Sequence, residues 1–225
     1  YAKTPNGVYY SSVVTAETDS LYLASGNGAT DIDGNTYTSI IVGDMEWTVE
    51  NLRVSKFNNG DAIPNVSMGS SWAGTTTSAY AYYNNDPTYN LIYGKWYNWY
   101  AVNDSRGLCP TGWHVATNQE WSDLEVMLGG ISLAGGVLKS TSSLWLSSSY
   151  PGSDAIGFNA EPNGFANNNG NSDQMTNHAW FWTSTGFNSS SSYFRALEAS
   201  TANMPDWHGR RYNPSSGMAC RCVKD

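Results

Sequence analysis

Basic residues are scarce in this chain. Its 225 residues include 11 Lys and Arg against 19 Asp and Glu, which gives a formal net charge of −8 at pH 7. The only adjacent basic pair is Arg210-Arg211. Nucleic acids and anionic membranes are bound by clustered Lys and Arg, whose contacts release counterions and complement the negative surface. We therefore expect neither nucleic acid nor an anionic membrane as the main partner.

Long apolar runs are also missing. No stretch approaches the roughly 20 apolar residues that a membrane-spanning helix needs, so no membrane insertion is expected. The sequence begins at Tyr1, with neither an initiator Met nor a signal peptide, and we interpret this as export followed by cleavage. The expected location is therefore secreted, at the cell surface.

Enzyme motifs are absent from the sequence. It contains no Gly-x-Ser-x-Gly, no phosphate-binding loop and no His-Glu-x-x-His. The histidines, His114, His178 and His208, have no neighbouring zinc-ligand pattern. We interpret His114 as a hydrogen-bonded structural residue, and we predict that the chain is not an enzyme.

Cysteines are few. Cys220 and Cys222 are too close in sequence to pair with each other without strain. If either one pairs with Cys109, the bridge closes a loop of over 100 residues and contributes about 4–5 kcal/mol by loop-closure entropy. Such a bridge is typical of exported proteins, and the alternative is three reduced thiols in a cytosolic protein.

Aromatic residues are abundant by contrast, with 10 Trp and 15 Tyr among many Asn, Ser and Gly residues. Rigid aromatic side chains with adaptable polar neighbours are typical of recognition surfaces. A loop-rich fold also needs large side chains to build its core, and both interpretations can hold together.

Residues 1–30 are predicted to form an extension. Short β-prone runs at 8–10, 13–14 and 21–23 precede a flexible Ser-Gly-Asn-Gly segment at 25–28. Such an arm could add a strand to a neighbouring subunit or serve as an ordinary linker. The main domain is then expected over residues 31–225.

Two hairpins are predicted at its start. Asp33-Gly34 is a strong hairpin signal, although the Asp-Ile-Asp-Gly-Asn run at 31–35 also resembles a calcium loop that lacks its closing Glu. We favour the hairpin. Gly43-Asp44 marks a second turn, with a strand expected from Met45 to Leu52.

Two short helices are predicted further along the chain. Thr117 and Glu120 have capping-box spacing for a helix over 118–128, which Gly129-Gly130 would end. Aromatic residues spaced by three and four predict a second helix within 93–102.

Gly135-Gly136 is expected to break any long element in the segment that follows. The polar stretch 56–90 is expected to be a long loop region or a set of small surface strands, and 148–178 is expected to be a long loop. The pattern predicts an α+β fold with small antiparallel sheets. The later strands are expected at 180–185, 193–197 and 217–223.

Eight short segments, in order along the chain, carry a family resemblance. They are Asp-Ile-Asp-Gly-Asn-Thr-Tyr at 31–37, Trp47 through Glu-Asn-Leu at 50–52, Tyr-Asn-Trp-Tyr-Ala at 97–101, Cys-Pro-Thr-Gly-Trp-His-Val at 109–115, Glu-Trp at 120–121, Gly-Phe-Asn-Ala at 157–160, Trp-Thr-Ser at 182–184 and Arg-Cys-Val-Lys-Asp at 221–225. Together they resemble the Fibrobacter succinogenes major paralogous domain (FISUMP), whose members have C-type-lectin-like folds in secreted and surface proteins of Bacteroidetes and Fibrobacteres. The resemblance implies that Cys109 pairs with Cys222, leaving Cys220 as the extra thiol, and residues 1–30 lie outside it.

Glu161-Pro162-Asn163 is the first candidate site. Calcium-dependent lectins bind calcium and sugar hydroxyls through an acid-Pro-amide turn, and hard oxygen ligands suit calcium. Glu161 and Asn163, with Asp173, are therefore candidate ligands for calcium, the one cofactor considered. The partner Trp-Asn-Asp triplet is replaced by Trp-Thr-Ser at 182–184, and an ordinary turn is the favoured alternative.

The Ser-rich segment 188–216 is the second candidate site. Exposed Trp, Tyr and Arg residues are common binding hot spots. The alternative is that Trp207 and Tyr212 anchor the loop to the core. Its candidate ligand-binding residues, together with Glu161 and Asn163, are Tyr193, Arg195, Asn203, Trp207, His208, Arg210 and Tyr212.

A non-catalytic extracellular binding module, an adhesin that takes a glycan or a surface protein, is the favoured function. Its ligand face is expected to be formed by two segments, 160–178 and 188–216. The β-prone arm supports an alternative, a homo-oligomeric subunit of an extracellular filament or surface layer. A third hypothesis is a receptor-binding protein on a phage or appendage tip.

Overall fold

The computed structural model describes residues 24–146, 150–204 and 211–225, together with the backbone at 2–3 and 9–10. The helices are α1 (Asn90–Tyr93), α2 (Trp99–Val102), α3 (Asn118–Met127) and α4 (Ile131–Leu138), with single 3-10 turns at Tyr83–Asn85 and Pro87–Tyr89. The strands are β1 (Ala2–Lys3), β2 (Tyr9–Tyr10), β3 (Ala24–Ser25), β4 (Ala29–Thr30), β5 (Thr36–Tyr37), β6 (Ser39–Val42), β7 (Met45–Thr48), β8 (Tyr80–Ala81), β9 (Trp96–Asn98), β10 (Trp113–Val115), β11 (Asn163–Ala166), β12 (Ser172–Met175), β13 (His178–Asn188), β14 (Ser191–Glu198), β15 (Arg211–Tyr212), β16 (Gly217–Met218) and β17 (Cys222–Lys224).

Two sheets organise the molecule. One has five strands in the order β10-β17-β7-β6-β3, and the other runs β15-β14-β13-β11-β16-β9-β8, with β12 beside β11. Apart from a one-residue parallel contact between β11 and β13, the pairs within these two sheets are antiparallel. Two small pairs, β1-β2 and β4-β5, stand apart. The prediction of an α+β fold with small antiparallel sheets is confirmed.

The disulfide joins Cys109 and Cys222, whose Cα atoms are 6.0 Å apart, across a sequence separation of 113. Both cysteines lie in one large apolar cluster, together with the buried free thiol of Cys220. Burial raises the pKa of Cys220 above the range of a reactive thiol. The pairing implied by the family resemblance is confirmed.

Both predicted hairpins form. In the first, β4 pairs with β5, and the Asp31 carboxylate accepts hydrogen bonds from the backbone N–H groups of Asp33 and Asn35. The other oxygen of Asp31 accepts from the hydroxyl of Tyr37 at 2.6 Å. The carboxylate therefore organises the turn. The second hairpin pairs β6 with β7 around Gly43.

The predicted capping box begins α3. Thr117 Oγ1 accepts from the backbone N–H of Glu120, and the Glu120 carboxylate accepts from the backbone N–H of Thr117. At the other end, Gly129 N–H donates to Val126 and Gly130 N–H donates to Glu125. Both glycines have positive φ, so the helix ends in a Schellman motif.

The helix predicted within 93–102 is wrong in its extent. Residues 96–98 form β9, which pairs with β16 on one side and β8 on the other. Asn98 then caps α2, because its side chain accepts from the N–H of Ala101. Pairing between strands distant in sequence overrides the local helical spacing here.

Gly135 and Gly136 do not break the chain as predicted, since α4 runs through both. The backbone of residues 202 and 203 passes directly over this helix, and Gly136 N–H donates to the Ala202 carbonyl at 2.8 Å. A Cβ added at Gly135 would stand 2.2 Å from the Asn203 carbonyl oxygen. The glycines therefore serve close packing.

Two further predictions need correction. The stretch 148–178 is not one long loop, because it contains β11 and β12. The strand predicted at 217–223 is two strands, β16 and β17, which belong to different sheets. Between them, Cys220 accepts from the N–H of Leu52 through its carbonyl, so the chain crosses from one sheet to the other here.

The last residues predicted for the extension are attached to the domain. β3 pairs with β6, and the buried Glu46 carboxylate accepts from the N–H of Asn27 and the hydroxyl of Ser39, each at 2.7 Å. Lys224 Nζ lies 2.8 Å from the other oxygen of Glu46. This carboxylate therefore fixes the segment between β3 and β4 to the domain.

Within the described ranges, no helix combines the length and the apolar character needed to cross a bilayer.

Candidate functional site

An aromatic cleft of about 370 Å³ opens where the two predicted ligand-binding segments meet. Strands β11 and β12 form one side of it, β13 and β14 the floor, and β15 the other side. Its lining residues are Phe165, Asp173, Gln174, His178, Trp180, Phe194, Arg211 and Tyr212.

The floor of the aromatic cleft is a stack of rings. The ring centroids of Phe165 and Phe194 each lie 4.5 Å from that of Trp180, at interplanar angles of 28° and 15°. The Tyr212 ring meets Phe165 and Phe194 edge to face, at 85° and 82°. Stacked and edge-to-face pairs are both favourable, so these rings hold one another in place. Tyr212 is the most exposed of the four.

Strand periodicity brings these rings together. On β13, His178 and Trp180 line the cleft. The residues that alternate with them, Ala179 and Phe181, lie in a separate apolar cluster on the other face of the strand. Antiparallel pairing sets Ser192 of β14 opposite Tyr212 of β15, and Phe194 is two positions further on the same face. The cleft therefore exists only after three separate segments have paired.

Polar groups line the rim of the cleft. Asp173 and Gln174 come from β12, and Arg211 from the other side. Burial lowers the pKa of His178, which favours its neutral imidazole. The pKa of Tyr212 is raised by burial and by the charge of Asp173. The rim thus presents both hydrogen-bond donors and acceptors beside apolar rings.

A ledge, formed by Phe187, Tyr193 and Arg211, lies beside the cleft and shares Arg211 with it. The Arg211 guanidinium lies 3.5 Å from the Phe187 ring centroid, and the Phe187 and Tyr193 rings pack edge to face at 5.7 Å. Phe187 is 45% exposed. Exposed Phe and Arg side chains beside a half-buried Tyr are a common composition for a contact surface.

Several candidate residues converge on this surface, while others do not. Tyr212 and Asp173 line the cleft and Tyr193 lies on the ledge. Asn203 is exposed beside α4 instead. Trp207, His208 and Arg210 lie outside the described residues.

The prediction that Arg195 lies on an exposed face is wrong. Arg195 is 1% exposed, and its Nη2 donates to the Asn118 carbonyl and the Ser122 hydroxyl, each at 2.7 Å. Its Nη1 lies 3.5 Å from the Glu125 carboxylate. Arg195 therefore links β14 to α3 and is not exposed to solvent.

The three candidate calcium ligands have separate surroundings. Asn163 is fully buried, and its side chain accepts from the N–H of Trp180 at 2.7 Å and donates to the carbonyl of the same residue. Glu161 accepts from the hydroxyl of Ser140, whereas Asp173 lines the aromatic cleft. In the part of the chain that the structure describes, no three or more His, Cys, Asp or Glu residues group as metal ligands. Calcium binding stays a prediction.

Sequence reasoning missed most of the cleft. Phe165 lies in a segment interpreted as a polar loop, and Trp180 and Phe194 were interpreted only as strand residues. The alternation of His178 and Trp180 was the available signal. It could not show which distant strands would complete the surface, because that depends on pairing.

The segments that carried the family resemblance meet in space. Arg221 is buried and its Nε donates to the Asn51 side chain at 2.6 Å, while its Nη1 donates to the Phe158 carbonyl. The Trp121 ring packs against both Trp47 and Phe158, with centroids 5.0 and 5.7 Å away. These residues are spread over residues 47–221 in sequence, and they form one structural centre.

Similarity to a known family covers the residues of this structural centre. Neither the curated proteins nor the solved structures contain a match to this chain. The model of the Fibrobacter succinogenes major domain matches residues 40–224, a span that includes every segment of the structural centre. The chain therefore belongs to the Fibrobacter succinogenes major domain family.

Proposed function

We propose that this chain is a non-catalytic binding module, secreted or displayed at a bacterial cell surface, with a C-type-lectin-like fold. Its ligand, a glycan in the first instance, binds in the aromatic cleft. The observation that carries the proposal is the cleft itself, in which both predicted ligand-binding segments contribute rings and polar groups to one opening.

The chemistry of the cleft suits a sugar. Binding sites of this kind combine apolar walls with a few polar groups that orient the ligand. Tyr212 offers a partly exposed ring, and Asp173, Gln174 and Arg211 surround it with acceptors and donors. A sugar has an apolar ring face and hydroxyls at its edge, so it matches this arrangement.

The buried charged residues support a non-catalytic role. Arg195 and Arg221 donate mainly to backbone carbonyls or to neighbouring side chains of the core. Their guanidinium groups link separate segments of the fold through hydrogen bonds. The disulfide and the expected export of the chain agree with an extracellular location.

A glycan array, read with and without a calcium chelator, tests the proposal. We expect binding by the full chain and a loss of about tenfold or more in Tyr212→Ala, since hot-spot aromatics each contribute about 2 kcal/mol or more. Val126→Ala is the control, because it shortens an exposed apolar side chain that lines neither the aromatic cleft nor the cavity beside α4. Absence of binding in both conditions, or equal binding by Tyr212→Ala, would refute the proposal. Loss of binding only with the chelator would favour a calcium-dependent site. The filament and appendage-tip hypotheses stay predictions.

A further inference from the structure

A second cavity, of about 450 Å³, lies beside α4. We call it the serine cavity, because the run from Lys139 to Ser143 forms one wall. Leu146, Tyr150 and Ala199 lie on other parts of the wall. It shares no lining residue with the aromatic cleft. The cavity is therefore a separate site that the proposed function does not use.

The indole of Trp145 is a fixed part of this wall. Its Nε1 donates to the hydroxyl of Ser140 and to the carbonyl of Ala160, both at 3.1 Å. The ammonium of Lys139 lies 5.5 Å from the centroid of the Trp145 ring. A ring held in this way loses little conformational freedom when it contacts a ligand.

Hydroxyl groups surround the indole, and two of them are also fixed. The Glu161 carboxylate accepts hydrogen bonds from both Ser140 and Ser142. Thr141 and Ser143 are exposed, and their hydroxyls make no hydrogen bond with any described residue. The wall thus combines ordered polar groups with two hydroxyls that are open to a ligand.

Lys139 is the only cation among the described residues that line the cavity, and it cannot serve an anionic ligand directly. Lys139 is 1% exposed, and its Nζ donates to the carbonyls of Tyr150, Glu198 and Thr201 at 2.8–2.9 Å. An ammonium has three N–H donors, so all are used within the protein. The nearby carboxylate of Glu161 would in addition repel an anion.

Large side chains at the rim extend the apolar surface. Tyr150 is 51% exposed and Leu146 is 56% exposed. A ring and an aliphatic chain therefore face outward beside the hydroxyls of Thr141 and Ser143.

We propose that the serine cavity binds a unit of a neutral polysaccharide. The sugar ring contacts Trp145 and Tyr150 through its apolar face, and its hydroxyls exchange hydrogen bonds with Thr141 and Ser143. The assignment to a neutral sugar follows because none of the described lining residues directs a charged donor into the cavity. This site would hold a ligand whether or not the aromatic cleft does.

Titration calorimetry with defined oligosaccharides tests the assignment. The neutral probes are cellotetraose, maltotetraose and xylotetraose, and tetragalacturonate is the anionic probe. We expect at least one neutral probe to bind with a dissociation constant of roughly millimolar or tighter. Tetragalacturonate should bind at least about tenfold more weakly, because it adds carboxylates near Glu161.

Three variants locate the binding. Tyr150→Ala and Thr141→Val each remove one exposed contact, and we expect each to weaken the neutral probe about five- to tenfold. Tyr212→Ala is the control in the aromatic cleft and should leave this affinity unchanged. The far-ultraviolet circular dichroism and the unfolding midpoint of each variant confirm that it is folded.

The inference would be overturned if all three neutral probes failed to bind at about 10 mM, a concentration at which a millimolar site is mostly filled. Unchanged affinity in both Tyr150→Ala and Thr141→Val would also overturn it, as would equal or tighter binding of tetragalacturonate. Loss of affinity in Tyr212→Ala alone would likewise reject the serine cavity, while supporting the aromatic cleft.

Discussion

Individual charged residues in this protein mostly hold the fold together. Lys139 and Arg221 are each 1% exposed, and each donates to backbone carbonyls from separate segments. Burial lowers the pKa of Lys139 to about 8 and that of Arg221 to about 9. Buried cations are costly unless they are hydrogen-bonded, and here carbonyl oxygens supply the bonds.

His114 is the residue whose charge should matter near neutral pH. Its Nε2 lies 2.8 Å from the Glu120 carboxylate and its Nδ1 lies 2.7 Å from that of Asp225. The hydrogen bond to Glu120 and the one to Asp225 raise the pKa of His114 to about 9, against the opposing effect of burial. The predicted hydrogen bonding of His114 is confirmed.

We predict that His114→Gln lowers the free energy of unfolding in a pH-dependent way. The folded pKa is above the unfolded value of about 6.5, so the stabilisation is complete below that pH and is lost as the pH rises through about 9. For a half-exposed pair, the expected size is about 0.2–1 kcal/mol. Urea unfolding at about pH 6 and pH 10 measures it.

Asp225→Asn is the matched variant for this prediction. It should show a smaller change with the same dependence on pH, since Glu120 has the larger effect on the pKa of His114. A difference between the wild-type chain and His114→Gln that does not vary with pH would contradict the ion-pair explanation.

At the scale of elements, the backbone that packs against a helix limits which residues the helix can contain. In α4, the carbonyl of Asn203 lies against Gly135, and the Ala202 carbonyl accepts the N–H of Gly136. This contact joins α4 to the segment after β14. Local propensity alone disfavours two glycines within a helix, which is why the sequence predicted a break.

The two glycines should respond differently to the same change. Gly135→Ala sets its Cβ 2.2 Å from the Asn203 carbonyl oxygen, and we expect a loss of about 1–3 kcal/mol from overpacking. Gly136→Ala brings its Cβ only to 3.4 Å from that of Ala202, so it should be neutral or gain up to about 1 kcal/mol of helix propensity. Denaturant unfolding of both variants is the measurement, and equal effects would show that the close approach does not matter.

At the scale of the whole molecule, the end of the chain holds the two sheets together. β16 lies within one sheet and β17 within the other, and only three residues separate them. Cys222 attaches β17 to Cys109, at the start of the segment that leads into β10. On β17, Cys222 packs in one apolar cluster and Val223 in the other. The disulfide therefore holds in place a strand that contributes to both clusters.

We predict that the paired variant Cys109→Ala/Cys222→Ala loses about 4–5 kcal/mol of stability, because the bridge closes a long loop in the unfolded chain. Cys220→Ala is the control, since this thiol is buried and unbridged, and its cost should be about 1 kcal/mol. Thermal unfolding with and without reductant provides the comparison. If reductant leaves the wild-type midpoint unchanged while the bridge is shown to be open, the loop-closure account is wrong.

Local signals in the sequence determined much of the architecture. The Asp33-Gly34 turn, the Thr117 cap and the Gly129-Gly130 end of α3 depend on neighbours within a few residues. For this reason they could be predicted from the sequence alone. The family match over residues 40–224 also followed from motifs in the sequence, and the family resemblance implied the Cys109–Cys222 pair.

The candidate sites were decided only by tertiary structure. Phe165 and Tyr212 lie far apart in the chain, and their rings meet because β11 and β15 belong to one sheet. Arg195 has the residue type of a binding hot spot, yet its position beneath α3 makes it structural. Strand pairing and burial act between residues distant in sequence, so they determine which side chains reach the surface together.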